Sequence, residues 1–195
     1  MSRVLETLRR ANRGATIVEF AIISPVLFAL MMGLGELSYQ AYVKAILTGA
    51  IQKAGRDSTI QGATARSAEI DEKVMGMVRT VAKNGTFSST RKSYSQFGQV
   101  APEPFNDGNG NGFRDVGECF SDVNANGTWD MDPGAAGQGG ASDVTVYTVT
   151  VTYLRLFPVA QWFGGGRVQS LSATTILKNQ PYAAQTTVIA TNICA

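Results

Sequence analysis

The sequence predicts an α+β chain. A long amino-terminal helix able to span a membrane is followed by a body of one further helix, a small antiparallel sheet and a polar loop insertion. Three observations predict it. Residues 20–35, FAIISPVLFALMMGLG, carry no charge. Residues 64–83 repeat apolar positions at steps of three and four, and residues 143–157, DVTVYTVTVTYLRLF, alternate at period two. At 195 residues the chain has room for one modest domain with attachments. It contains no histidine, which removes His-based triads and His-metal sites.

The net charge of +2 comes from the amino terminus, where Arg3, Arg9, Arg10 and Arg13 stand against Glu6 alone. The rest of the chain is close to neutral, so its composition gives no support for a nucleic-acid partner. With Ile17 and Val18, the apolar run approaches the roughly 20 residues that cross a bilayer as a helix. By the positive-inside rule the arginine-rich tail stays in the cytoplasm and everything after Glu36 is exported. A cleaved secretory signal peptide is the rival reading, but GLGELSYQAYVKA lacks a convincing small-x-small cleavage site.

Helical character continues past the apolar run. No proline occurs from Glu36 to Ala54, and Tyr39, Tyr42, Val43, Ile46, Ala50 and Ile51 share one face, with Gly55 as the expected stop. A helix from Ala15 to Ala54 is about 60 Å long at 1.5 Å per residue, roughly twice the hydrocarbon thickness. Pro25 is expected to kink it.

The stretch RGATIVEFAIISPVLFALMMGLGELSYQAY resembles the amino-terminal signature of the TadE-like minor pilins, or pseudopilins, of the tight-adherence (Tad, Flp-type) type IV pilus system. In that family a prepilin peptidase removes a basic leader after a glycine, and a glutamate stands fifth in the mature chain. The resemblance implies a leader of residues 1–14 cut between Gly14 and Ala15, a pilin-like helix over 15–55, and Glu19 as an assembly contact. It also implies an inner-membrane protein with a cytoplasmic amino terminus, partnered by other pilins and the pilus assembly machinery. An extracytoplasmic body over 56–195 is then displayed for assembly or adhesion, at the cell surface when in the pilus, and no enzyme activity is expected. The alternative is a single-pass, calcium-dependent surface binding protein that never enters a pilus.

Glu19 poses a physical question. A charged side chain at the bilayer centre costs roughly 2.5 to 3.5 kcal/mol on insertion scales. Cleavage after Gly14 would leave an ammonium on Ala15, one helical turn away in the same chain or on an offset neighbour. The competing reading has Glu19 reaching the headgroups and pairing with Arg13.

In the body, Ile70, Val74, Met77, Val78 and Val81 mark an amphipathic helix that Asn84-Gly85 is expected to end. TFSSTRKSYSQFGQVAPEP reads as loop or one short strand. Tyr147, Val149, Val151 and Tyr153 form the buried side of one strand, and RVQSLSATTILK (167–178) is a second, with PVAQWFGGG turning the chain between them. The tail TTVIATNICA offers an edge strand. Glycines 164–166 lack the GK[ST] ending of a phosphate loop.

The richest segment is DGNGNGFRDVGECFSDVNANGTWDMD, inside 107–133. Asp107, Asn109, Asn111, Gly112, Asp115 and Glu118 fall at positions 1, 3, 5, 6, 9 and 12 of an EF-hand-type calcium loop, with the Phe113 carbonyl at position 7. Ca2+ takes six to eight oxygens, which short acid and amide side chains around a tight turn can supply. Fifteen residues on, Asp122, Asn124, Asn126, Gly127, Thr128 and Asp130 repeat the pattern, but position 12 is Pro133. The second loop must therefore use Asp132, a water or a shared ligand, and is expected to bind more weakly. The tandem resembles the compact calcium repeats of bacterial secreted proteins, including dockerin-type loops. Plain hairpin turns are the bland reading of the same Asn-Gly and Asp-Gly pairs. Cys119 and Cys194, in an exported body, favour a disulfide that ties this segment to the carboxy terminus; two buried free thiols are the alternative.

Overall fold

A computed structural model describes residues 13–60, 62, 64–157, 159–185 and 188–194. Arg3, Glu6, Arg9 and Arg10 lie outside the described residues, as do the side chains of Arg13 and Ala15. The chain divides into two compact units. One comprises residues up to Tyr42 with Leu154–Gln169, the other Val43–Tyr153 with Ser170–Ala195.

The sheet holds β1 (Thr86–Tyr94), β3 (Ala135–Ala136), β4 (Val144–Leu154) and β5 (Val168–Lys178) in the order β3-β1-β4-β5. The chain from Thr86, expected to be a loop or one short strand, is a nine-residue strand antiparallel to β4, in register from Thr86↔Thr152 to Tyr94↔Val144. Its serines and threonines give no apolar period of their own; pairing with β4 decides its conformation. On β4 the expected side chains Tyr147, Val149, Val151 and Tyr153 are all buried. The opposite side carries a hydroxyl ladder, with Thr148 Oγ1 2.9 Å from Thr174 Oγ1 and Thr152 Oγ1 donating to Ser170 Oγ at 3.2 Å. The carboxy-terminal tail does not join this sheet. Instead, β6 (Thr191–Cys194) pairs antiparallel with β2 (Cys119–Asp122) in a separate ribbon.

Helix α1 runs from Arg13 to Ser58, 46 residues and about 70 Å, unbroken through Pro25. Among the described residues it is the one helix long and apolar enough to cross a membrane, and none of its most apolar window is buried. It fits a membrane anchor. Gly55, expected to end the helix, lies inside it. A Cβ there would come 2.5 Å from Leu177 Cδ1, so the glycine serves a close approach of α1 to β5. The helix ends three residues later, where Ser58 Oγ and Thr59 Oγ1 donate to the carbonyls of Gly55 and Arg56.

The expected apolar stripe on α1 shifts by about one position. Val43, Leu47, Ala50, Ile51 and Ala54 are buried, whereas Tyr42 is exposed and Tyr39 and Ile46 are half-buried. Positions 43, 47, 50 and 54 step by four, three and four, which holds a helix face toward one neighbour. Each of the larger ones contributes about 1.5 to 3 kcal/mol of burial.

Helix α2 (Ser67–Arg79) follows a 3-10 turn, Thr64–Arg66, and buries Ile70, Val74 and Val78. It ends five residues before Asn84. The N–H groups of Val81 and Ala82 both bond to the Val78 carbonyl, and Thr80 Oγ1 takes that of Met77. These bonds satisfy the last carbonyls early, and Gly85 instead opens β1.

Asp71 ties α2 to the sheet. Its carboxylate accepts from Ser89 Oγ at 2.7 Å, from Arg91 Nη1 and Nη2 at 3.0 and 2.6 Å, and from the Tyr147 hydroxyl. Arg91 and Tyr147 are cross-strand partners, and the guanidinium lies 4.1 Å from the ring centroid. Burial pushes the Asp71 carboxyl up, but the hydrogen bonds from Arg91, Tyr147 and Ser89 outweigh it and hold it below its ordinary value. Tyr147 is raised, first by burial and then by Asp71.

Candidate functional site

The two acidic loops flank one strand, β2. Pro104–Asn106 runs beside β2, with a Phe105↔Phe120 bridge and with Asn106 N and Ser121 N donating to the Cys119 and Pro104 carbonyls at 2.8 Å. The first loop departs at Asn106 and returns at Glu118, one residue before β2. The second departs from Asp122, where β2 ends. No helix flanks either loop among the described residues.

Both loops adopt the same internal geometry, fifteen residues apart. In the first, Asp107 Oδ1 accepts from Gly110 N at 2.7 Å and Asn111 N at 3.2 Å, and Oδ2 from Gly112 N at 2.8 Å. In the second, Asp122 accepts from Asn126 N at 3.2 Å and Gly127 N at 2.8 Å. Gly112 and Gly127 both lie in the left-handed region, at φ 78° and 77°, where a side chain would be strained. Asn109 and Asn111 both donate to Asp115 Oδ2, at 2.7 and 2.8 Å; Asn124 and Asn126 both donate to Asp130 Oδ2, at 2.8 and 2.5 Å. Positions 3, 5 and 9 thus converge on one point in each loop. The Phe113 and Thr128 N–H groups donate to Asn111 and Asn126 Oδ1, both at 2.7 Å. The N–H of Gly112, followed against burial by those of Gly110, Asn111 and Asn109, holds the Asp107 carboxyl below the usual carboxylate range.

The last position distinguishes the loops. Glu118 closes the first, with Oε1 accepting from Gly108 N at 2.7 Å and Oε2 from Asp115 N at 2.9 Å, at positions 2 and 9. In the second loop the same two positions are Val123 and Asp130. Their N–H groups donate to Glu103, at 2.8 Å to Oε1 and 3.0 Å to Oε2. Glu103 is 1 % exposed, and its own carbonyl accepts the Trp129 indole N–H at 2.9 Å. Asp132 is engaged elsewhere, accepting from the Tyr94 hydroxyl at 2.7 Å, from Lys92 Nζ and from Gly134 N at 3.3 Å. Lys92 and then Tyr94 hold its carboxyl below the ordinary value.

Sequence reasoning missed Glu103, because it precedes both loops and no spacing rule connects it to Asp130. Its place between Pro102 and Pro104, in a segment with little conformational freedom, was the available signal. Among the described residues no three His, Cys, Asp or Glu side chains form a metal-binding group by themselves. The oxygens of each loop come as much from asparagine and main chain as from acids.

Cys119 and Cys194 form the expected disulfide, directly opposite each other on β2 and β6. On α1, Gly14 is helical and exposed, with no atom within 4 Å of a Cβ built there, and Glu19 is exposed. Ala15 and Glu19 are four positions apart and so on one face of the helix.

No curated protein and no solved structure matches this chain. Residues 14–56, which include Gly14, Glu19 and most of α1, match the family model described as TadE-like protein, a family associated with the Tad pilus.

Proposed function

We propose that this protein is a minor pilin of a Tad-type pilus, with a body outside the membrane that is braced by Ca2+ in two loops. The TadE-like match of residues 14–56 carries the pilin reading. In it, a prepilin peptidase cuts between Gly14 and Ala15, and the new Ala15 ammonium pairs with Glu19 of its own or a neighbouring chain. At 4 Å and an effective dielectric of about 20 that attraction is roughly 4 kcal/mol before desolvation, enough to favour one register between helices. Glu19→Gln is expected to leave membrane insertion and leader removal intact while reducing co-purification with other pilins. Normal piliation and normal co-purification in that variant would sink the assembly role.

The calcium reading rests on the two loops sharing one geometry around a convergent point. The first site would use Asp107, Asn109, Asn111, the Phe113 carbonyl, Asp115 and Glu118. The second would use Asp122, Asn124, Asn126, the Thr128 carbonyl, Asp130 and, in place of the absent position-12 residue, Glu103. Ca2+ supplies the charge that these oxygens otherwise balance with N–H donors; it performs no chemistry on a substrate. Glu103 supplies the second loop with a carboxylate that the sequence lacks at Pro133, which raises the expected affinity of that loop.

Calorimetric titration of the full chain in detergent should find two Ca2+ per chain. Glu118→Gln and Glu103→Gln should each reduce this to one, while Asp132→Asn keeps both. At a calcium concentration a hundredfold above the dissociation constant, each site adds about 2.7 kcal/mol. Equal melting temperatures in calcium and in chelator would end this reading.

A further inference from the structure

We propose that the turn between β4 and β5, residues 154–167, is a second membrane contact, which lays Leu156, Trp162 and Phe163 into the lipid interface beside α1. The inference rests on α1 as a bilayer anchor and not on calcium or on pilus assembly.

The first argument is composition. Residues 154–168, LRLFPVAQWFGGGRV, contain no acid, two arginines and seven large apolar side chains. A water-facing turn of this length ordinarily exposes polar residues, yet Trp162 and Phe163 are 58 % and 82 % exposed, and Leu154 and Leu156 are exposed as well. Tryptophan is enriched where chains meet the headgroup layer, and arginine anchors chains there.

Arg155 and several main-chain N–H groups of the turn are satisfied inward. The Glu36 carboxylate, 6 % exposed, accepts from Leu156 N at 3.1 Å and Phe157 N at 3.2 Å, with Arg155 Nη1 at 3.6 Å. Arg155 Nε donates to the Gly166 carbonyl at 3.1 Å, and Arg155 N to that of Arg167 at 3.0 Å. The short helix α3 (Val159–Trp162) closes with Gly165 N on the Ala160 carbonyl at 2.7 Å. Polar atoms paired inside and apolar side chains turned outward is the arrangement a lipid environment requires, and the reverse of one suited to water.

The third argument is position. Phe157 packs on Gly35, where an added Cβ would lie 3.0 Å from the ring. From there an open groove of about 800 Å³ follows α1, lined by Val26, Leu30 and Leu34 on the helix and by Trp162 and Phe163 on the turn. Leu34 to Val26 is eight residues, about 12 Å of helix rise, all within the uncharged run 20–35. The aromatic pair therefore shares one groove with helix residues that themselves need hydrocarbon. The surface is continuous with the membrane span, and what surrounds the span also fills the groove. Arg167, exposed at the base of the turn, favours anionic headgroups there.

The test uses the full chain reconstituted in vesicles of zwitterionic phospholipid with a minor anionic fraction. The chain has two tryptophans, so the emission of wild type minus that of Trp162→Phe isolates Trp162. We expect this emission to be blue-shifted, to lose most of its intensity when lipids brominated near the headgroup are used, and to resist aqueous acrylamide. Quenching by acrylamide without quenching by brominated lipid would overturn the proposal by placing the turn in water. Protection from both quenchers would overturn it in favour of a second copy or another pilin over the groove. A Phe28→Trp reporter in the Trp162→Phe background separates the two levels of inference. Its quenching by lipids brominated deep in the acyl chain, with Trp162 unquenched, rejects the turn contact alone; failure of both rejects the anchor, and the proposal falls with it.

Discussion

Asp71→Ala is expected to destabilise the protein by about 3 kcal/mol, the low end for removing one partner of a buried ion pair. The Arg91 and Asp71 side chains are 9 % and 16 % exposed, so little water is available to replace the lost carboxylate. The change would strand the Arg91 guanidinium beside the Tyr147 ring and remove the acceptor for the Tyr147 and Ser89 hydroxyls. It also severs the polar tie between α2 and the β1–β4 pair. Denaturant unfolding of the full chain in detergent measures the loss, and a difference below about 0.5 kcal/mol, the scatter of ordinary surface substitutions, would show that the network is dispensable.

The same carboxylate sets a pH dependence. Its folded pKa lies below its unfolded value, so its stabilisation is complete above the unfolded pKa of about 3.9 and is lost as pH falls through the folded value. Asp71→Asn should therefore remove part of the acid-induced loss of stability below about pH 4, while lying below wild type at neutral pH.

Loss of the disulfide is expected to cost about 4 kcal/mol. The bond joins residues separated by 75 positions, and closing a loop of that size in the unfolded chain accounts for this magnitude. For a chain of this length the change corresponds to roughly 10 °C in melting temperature. The effect should be local in origin, because among the described residues β6 pairs only with the four residues of β2 and the disulfide sits at the end of that pairing. β2 is also the strand that connects the two acidic loops. Cys194→Ser should thus lower the melting temperature and, on the proposed calcium reading, weaken calcium binding together. Peptide mapping of the oxidised chain should recover Cys119 joined to Cys194. A reductant that opens the bond without changing the melting temperature would show that the ribbon holds by other means.

The features legible in the sequence are those with a short period or a fixed local spacing. An uncharged run long enough for a bilayer, the valine and threonine alternation of β4, and the position of β5 all follow from rules linking neighbours two to four residues apart. The loop motif belongs here too, since Asp107 to Asp115 and Asp122 to Asp130 bond within their own turns. The amino-terminal signature is equally local, and residues 14–56 match the TadE-like family over that same segment.

Tertiary structure decided whatever depends on a distant partner. β1 has too few apolar residues to announce itself and becomes a strand by pairing with β4, fifty or more residues away. Gly55, a stop signal by its local chemistry, is carried inside α1 because Leu177 leaves no room for a side chain there. The buried stripe of α1 follows whatever it packs against, and that moved its centre from Ile46 to Leu47. Glu103 is the sharpest case. It lies twenty-seven residues before Asp130, whose N–H it accepts, and only the run of Pro104–Asn106 beside β2 brings it there. Glu36 likewise reads as one more helix-surface acid until the turn after β4 presents it with two main-chain donors and Arg155. A buried carboxylate needs donors to offset its desolvation, and where they come from far along the chain, only the fold reveals the partnership.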